Sequence, residues 1–98
     1  MTTTTTDASP IAFALPDGLD TPSVVIDLDI VERNIVTMSE ALLSRGIELR
    51  PHSKTHKSVE VARRQLDAGA VGLTVGTIGE AEVMASAGIT DLFIAYPV

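Results

Sequence analysis

Short apolar runs alternate along the chain with segments in which apolar residues recur at helical spacing. The runs at 23–29, 47–52, 70–76 and 91–98 predict strands. Between them, apolar positions recur every three or four residues, which predicts amphipathic helices. These positions are Val31, Ile35, Met38 and Leu42, then Val59, Ala62 and Leu66, then Ile78, Ala81 and Ala85. The chain is therefore predicted to alternate four strands with three helices.

Polar residues and glycines mark where each predicted helix begins and ends. Asp29 with Glu32, and Thr77 with Glu80, have the spacing of a capping box, in which two side chains satisfy backbone N–H groups at the helix start. A glycine follows each helix, as expected for a C-terminal cap with positive φ. The three glycines are Gly46, Gly69 and Gly88.

Alternating strands and helices predict a parallel sheet whose strands are joined by right-handed crossovers. The segments "DAGAVGLTVG" and "SAGITDLFIA" support this prediction, because they resemble one unit written twice. Such units build either an open sheet or a closed (β/α)8 barrel, and a barrel needs about 250 residues. We predict a mobile polar lead over 1–20 and part of a barrel over 21–98, in a longer protein. The alternative is a complete three- or four-stranded α/β domain.

Composition narrows the class of protein. Hydrophobic residues make up 45% of the chain and aromatic residues only 3%, so the core is predicted to be aliphatic. The absence of cysteine excludes disulfides, thiolate metal sites and cysteine nucleophiles. Neither a signal peptide nor a membrane span is predicted, so a cytoplasmic protein is expected. The net charge of −6 disfavours nucleic acid as a partner.

The octapeptide "RPHSKTHK", residues 50–57, contains both lysines and both histidines of this acidic chain. Alternation along the strand places Arg50, His52 and Lys54 on one face and the apolar residues between them on the other. On the matching face of the next strand the residues are small, namely Gly72, Thr74 and Gly76. Since ligands of parallel α/β folds lie at the carboxyl ends of strands, a ligand-sized space is predicted beside Lys54.

The residues around Lys54 predict a chemistry. Arg50, His52, His56 and Lys57 flank it, and like charges favour the neutral form of an amine. A neutral amine attacks a carbonyl group to form a Schiff base, while the surrounding cations hold an anion such as phosphate. Pyridoxal 5′-phosphate combines an aldehyde with a phosphate, although residue chemistry alone does not single it out.

Simpler interpretations remain for the same residues. One such interpretation is that Lys54 and Lys57 are ordinary solvated lysines of a surface loop. His52 and His56 have the i, i+4 spacing of a metal-binding pair, but the preceding proline and the strand-to-loop transition deny them a common helix face, so no metal site is predicted there. Glu80 is better interpreted as a capping residue than as a catalytic acid. A non-catalytic anion- or nucleic-acid-binding domain is disfavoured by the acidic balance and the scarcity of aromatics.

The string "LRPHSKTHK", followed by "EVARRQLDAGAVGLTVGTIGEAEVMASAGITDLFIAYPV", resembles the N-terminal barrel segment of the fold-type III pyridoxal-phosphate enzymes. Within that class the chain is similar, from about residue 21 to residue 98, to the D-serine dehydratase and D-threonine aldolase group, which is related to alanine racemase. The resemblance implies the N-terminal part of a (β/α)8 barrel of the alanine racemase type. A strand of a second β domain, matched by "TPSVVIDLD", would precede it.

The resemblance also implies a function. Lys54 would form the Schiff base with pyridoxal 5′-phosphate, with Arg50 and His52 as the other cofactor-binding residues, whereas Lys57 has no assigned role. The full-length protein would be a homodimeric lyase that acts on a small β-hydroxy D-amino acid, whereas this piece alone would be inactive. A divalent metal is implied, with ligands outside this chain. An amino-acid racemase and a non-catalytic pyridoxal-phosphate-binding protein are the alternatives.

Overall fold

The computed structural model describes residues 17–97, which fold as alternating helices and strands. Residues 1–16 of the predicted mobile lead lie outside this described part. The elements, in chain order, are α1 (Leu28–Leu43), α2 (Val59–Asp67), β1 (Leu73–Val75), α3 (Ile78–Ser86) and β2 (Leu92–Ile94). The predicted α/β class is confirmed. Positive φ angles of 73°, 115° and 90° at Gly46, Gly69 and Gly88 confirm the predicted helix ends.

The start of α1 differs from the prediction. Its N-cap is Asp27, whose Oδ1 accepts the backbone N–H groups of Asp29 at 3.0 Å and of Ile30 at 3.3 Å. The Asp29–Glu32 capping box is therefore wrong, because an acceptor two residues earlier already satisfies the free donors of the first turn. The predicted strand over 23–29 is wrong in its last two residues, which are helical. Residues 23–27 pair with no strand in the described part of the chain.

β1 and β2 pair in parallel, as the repeated sequence unit predicts. Their register places Thr74 opposite Phe93, with Leu73 opposite Leu92 and Val75 opposite Ile94. The N–H of the residue after β2, Ala95, donates to the carbonyl of Val75 at 3.0 Å. β1 is thus shorter than the predicted strand at 70–76, and β2 covers three residues of the predicted strand at 91–98, whose last residue lies outside the described part of the chain.

The predicted strand at 47–52 lies along the other edge of β1 without regular ladder bonding. The N–H of Val71 donates to Leu49 O at 2.9 Å, and the N–H of Thr74 donates to Pro51 O at 2.8 Å. His52 and Thr74 form an isolated parallel bridge. Pro51 interrupts the ladder because it has no N–H to donate, which confines it to a sheet edge or an irregular segment.

The core lies between the sheet and its helices. Alternate residues of β1 point into it, and they pack against α2 and α3. The core cluster consists of Ala62, Leu73, Val75, Met84 and Ile89. α1 is joined to α2 by polar contacts: the hydroxyl of Ser39 donates to Ala68 O, and Arg64 Nη1 lies 3.2 Å from Glu32 Oε1. Within residues 17–97, no helix combines the length and hydropathy that a bilayer crossing requires.

Candidate functional site

The face of the sheet away from the core carries two of the predicted site residues, Arg50 and His52, whereas Lys54 lies in the turn beyond it. From the amino ends to the carboxyl ends of the strands, the rows on this face are Arg50–Gly72–Asp91, His52–Thr74–Phe93 and Gly76–Ala95. We call this surface the open face, because Phe93, at the β2 end of the middle row, is 58% exposed. Alternation along each strand produces this arrangement, as predicted from the sequence.

An ion pair spans the first row. The Nη1 atom of Arg50 lies 2.8 Å from Asp91 Oδ1 and donates to Asp91 O at 3.1 Å. The guanidinium group crosses directly over Gly72, where an added Cβ would meet both Arg50 Nη1 and Asp91 O at clashing distance. Gly72 is therefore the residue that lets Arg50 reach the far strand. The sequence did not predict this pair, which joins residues 41 positions apart.

His52, in the second row, has a defined tautomer. Its Nδ1 accepts the backbone N–H of Lys54 at 3.1 Å, so the neutral ring carries its proton on Nε2. Its Cε1 lies 3.5 Å from the position of a Cβ at Gly76. His52 thus sits beside the small third row, with one N–H available to an acceptor on the open face.

Lys54 follows the carboxyl end of the edge segment in a turn closed at 53–57. Ser53 is fully buried, and its N–H donates to Thr74 O at 2.9 Å. The N–H of Lys57 then donates back to Ser53 O at 2.8 Å, which closes the turn. Lys54 itself is exposed, and its ammonium group forms no ion pair within residues 17–97.

The structure does not gather all the predicted cations around Lys54. His56 Nδ1 accepts the N–H of Ser58 at 2.9 Å, and its Nε2 pairs with Gln65 Oε1 at 3.2 Å. Lys57 Nζ lies 3.7 Å from a carboxylate oxygen of Glu80. Arg50 is also paired, with Asp91. Three of the four residues that flank Lys54 therefore have partners elsewhere in the fold.

Glu80 has a second role beyond the one predicted. Its N–H donates to Thr77 Oγ1 at 3.0 Å, which confirms half of the second capping box. Its carboxylate accepts the N–H of Gly76 at 3.0 Å, not that of Thr77. This hydrogen bond, with the charge of Lys57, lowers the pKa of the Glu80 carboxyl group against the opposing effect of desolvation. Helical spacing predicted the cap, but no local pattern indicates the contact with Lys57.

The residues present fit pyridoxal phosphate. The donor set comprises an exposed primary amine at the carboxyl end of the edge segment and an imidazole N–H at the second row. The third row has no side chain beyond Cβ, since it consists of Gly76 and Ala95. In the part of the chain that the structure describes, no cluster of three His, Asp or Glu side chains suits a metal ion.

Parallel strands joined by helical connections, with an exposed lysine beyond the carboxyl end of the edge segment, define the chain as a parallel α/β protein. Residues 26–96 match the family described as alanine racemase, N-terminal domain, and the chain belongs to that family. The family predicted from the octapeptide and the sequence that follows it is confirmed.

Three curated relatives place the chain more closely. It is 53% identical to the D-threo-3-hydroxyaspartate dehydratase of Delftia sp. (strain HT23) and 42% identical to the D-threonine aldolase of Arthrobacter sp., in each case over 79% of this chain and 20% of the relative. It is 31% identical to the D-serine dehydratase of Dictyostelium discoideum, over 84% of this chain and 22% of that protein. The chain thus spans about a fifth of the length of the curated relatives that it matches.

Solved structures share the fold. The crystal structure of the D-threonine aldolase from Filomicrobium marinum has a TM-score of 0.78 and 47% identity, over 81% of this chain and 21% of that one. The Delftia dehydratase has a TM-score of 0.79 and 51% identity, over 83% and 21%, and a cysteine-to-alanine variant of this dehydratase is described in a metal-free form. The alanine racemase type of α/β fold is thereby confirmed.

Proposed function

We propose that the whole protein is a pyridoxal-phosphate-dependent lyase acting on β-hydroxy D-amino acids, and that this chain supplies the lysine that binds the cofactor. The relatives named for D-3-hydroxyaspartate, D-threonine and D-serine support this proposal. The observation that carries it is the position of Lys54, exposed in a closed turn at the carboxyl end of the edge segment. A primary amine held there is accessible to an aldehyde.

The other cofactor-binding residues that we propose are His52 and Arg50. His52 offers its Nε2 proton to an anionic group, because its Nδ1 is occupied by the N–H of Lys54. Arg50 lies in the first row, one row farther from Lys54 than His52. Its guanidinium group is paired with Asp91, so Arg50 contributes to the base of the site as part of this ion pair. Thr74 lies in the same row as His52, and its hydroxyl donates to Arg50 O at 3.1 Å, which fixes the edge segment against β1.

The chemistry divides between the cofactor and this chain. Bound pyridoxal phosphate supplies an electron sink for the charge that develops at the substrate Cα. Lys54 would hold the cofactor through its amine and, when free, would accept the Cα proton in a dehydration. A divalent metal, whose ligands would lie outside this chain, would supply Lewis-acid chemistry. The whole protein is proposed to be cytoplasmic and homodimeric, without nucleic acid or a membrane as partner.

The test is to locate the cofactor on the whole protein. Reduction with borohydride in the presence of pyridoxal phosphate should leave a pyridoxyl group on Lys54, as identified by peptide mapping. Lys54→Arg should abolish the labelling, because a guanidinium group keeps the charge but does not condense with the aldehyde. Lys57→Arg is the matched control and should be labelled at Lys54 like the wild type. A pyridoxyl group on any other residue of the wild type contradicts the assignment.

Products then separate the lyase from its alternatives. A dehydratase releases ammonia from a β-hydroxy D-amino acid, whereas an aldolase releases an aldehyde and glycine. An amino-acid racemase is the second candidate, because the matched family is that of alanine racemase. Epimerisation without ammonia or aldehyde would establish the racemase, and labelling without any turnover would establish a non-catalytic binding protein.

A further inference from the structure

The turn that presents Lys54 ends at a residue in an unfavourable backbone conformation. Lys57 has a φ of 49°, which is in the left-handed region that non-glycine residues seldom adopt. The N–H of Lys57 closes the turn by donating to Ser53 O at 2.8 Å, and its positive φ then directs the chain into α2, whose N-cap is Ser58. Contacts that hold Lys57 therefore bear directly on the geometry of the loop around Lys54.

Glu80 supplies such a contact from the first turn of α3. Its Oε2 lies 3.7 Å from Lys57 Nζ, while its Oε1 accepts the N–H of Gly76 at 3.0 Å. The Glu80 side chain is only 11% exposed, whereas that of Lys57 is 64% exposed. The carboxylate is thus fixed to the carboxyl end of β1, and the exposed lysine is the partner that it holds.

A second contact joins Glu80 to the start of the turn. Both Glu80 oxygens and His52 Cε1 surround the Cα of Gly76, at 3.5 to 3.7 Å from the position of an added Cβ. His52 in turn accepts the N–H of Lys54. The carboxylate therefore lies between the residue that precedes the turn and the residue that ends it.

We propose that Glu80 is a positioning residue that holds the 53–57 turn, and with it Lys54, in the geometry that receives the cofactor. This inference rests on the proposed function of Lys54. Glu80 does not touch Lys54 and acts through Lys57, by a charge that a glutamine at the same position would lack. The amide oxygen of Glu80→Gln retains an acceptor for Gly76, so the substitution removes the ion pair while preserving the strand-end hydrogen bond.

The test uses the whole protein and two kinds of measurement. In Glu80→Gln, hydrogen–deuterium exchange of the cofactor-free protein should become about two- to fivefold faster in peptides covering 53–57. A change of this size corresponds to the free energy that an exposed ion pair contributes. The dissociation constant of pyridoxal phosphate, from titration of its visible absorbance, should rise by a similar factor. Glu82→Gln is the matched control, because it removes an exposed carboxylate from the same helix and should change neither quantity.

A double-substitution cycle separates positioning from a general loss of stability. Lys57→Met should reproduce both effects of Glu80→Gln, and the double variant should be no worse than either single variant, because both remove one interaction. Unchanged exchange at 53–57, unchanged affinity, or additive effects would each overturn the positioning role. Failure of the proposed function gives a different result, since the wild type itself would then carry no pyridoxyl group on Lys54.

Discussion

Substitution of Gly72 by alanine, which adds a single methyl group, should disturb the packing of the open face. An alanine there would place its Cβ within clashing distance of Arg50 Nη1 and of the backbone oxygen of Asp91, and 2.9 Å from Asp91 Cγ. The backbone oxygen belongs to the strand ladder, since it accepts the N–H of Leu73 at 3.0 Å. A rotamer change of the arginine alone does not relieve this overlap.

The magnitude follows from opposing contributions. Overpacking of this kind costs about 1–3 kcal/mol, and displacement of the ion pair adds about 0–1 kcal/mol. Replacing glycine lowers the entropy of the unfolded chain and returns about 0.4–1 kcal/mol. Gly72→Ala should therefore reduce the free energy of unfolding of the whole protein by about 1–2 kcal/mol, measured by urea denaturation.

Gly79→Ala is the matched control for this prediction. Gly79 lies inside α3, and the nearest atom to an added Cβ is Thr77 Oγ1 at 3.8 Å, so there is room for a methyl group. Alanine is favoured over glycine in a helix, by less at this first-turn position than the about 1 kcal/mol of a helix interior, so the free energy of unfolding should rise slightly. Equal stability of the two variants, or a Gly72→Ala protein as stable as the wild type, would refute the close crossing of Arg50 over Gly72.

Two further predictions concern carboxylates. Because the pKa of Glu80 is lowered in the folded protein, its stabilising contribution should be complete above its unfolded pKa of about 4.3 and should be lost as the pH falls through the folded value. The difference in the free energy of unfolding between the wild type and Glu80→Gln should accordingly shrink on acidification, with Glu82→Gln as the control; a difference that grows at low pH would contradict the assignment. Asp27→Ala should cost about 1 kcal/mol through loss of the α1 cap, and more than Asp29→Ala, because the Asp27 side chain accepts the first-turn N–H groups. Thermal unfolding of both variants checks the order, and the reverse order would restore Asp29 as the cap.

Local patterns predicted most of the fold. Helical spacing located all three described helices, and alternation along 47–52 correctly placed Arg50 and His52 on the face opposite Pro51. The capping error at α1 arose because two aspartates, Asp27 and Asp29, stand two residues apart and both have the chemistry of an N-cap. Local propensity does not choose between them, whereas the packing of the helix does.

The contacts that organise the site could not be predicted from local sequence. Arg50 pairs with Asp91 across 41 positions, and Lys57 approaches Glu80 from a different βα connection. Such partners depend on which strands become neighbours and in which register, and charge patterning along the chain carries no information about either. The octapeptide suggested a cluster of repelling cations, but the fold supplies a carboxylate to two of them.

The Arg50–Asp91 pair has a consequence for the kinetics of folding. Its two ends lie on the first and last strand segments, with β1 between them, so the pair cannot form until both helical connections have brought their strands together. Contacts of such long sequence separation are expected to form after the local ones, beyond the main barrier. Loss of the pair should then leave the refolding rate nearly unchanged and increase the unfolding rate. The pair therefore lengthens the lifetime of the folded sheet.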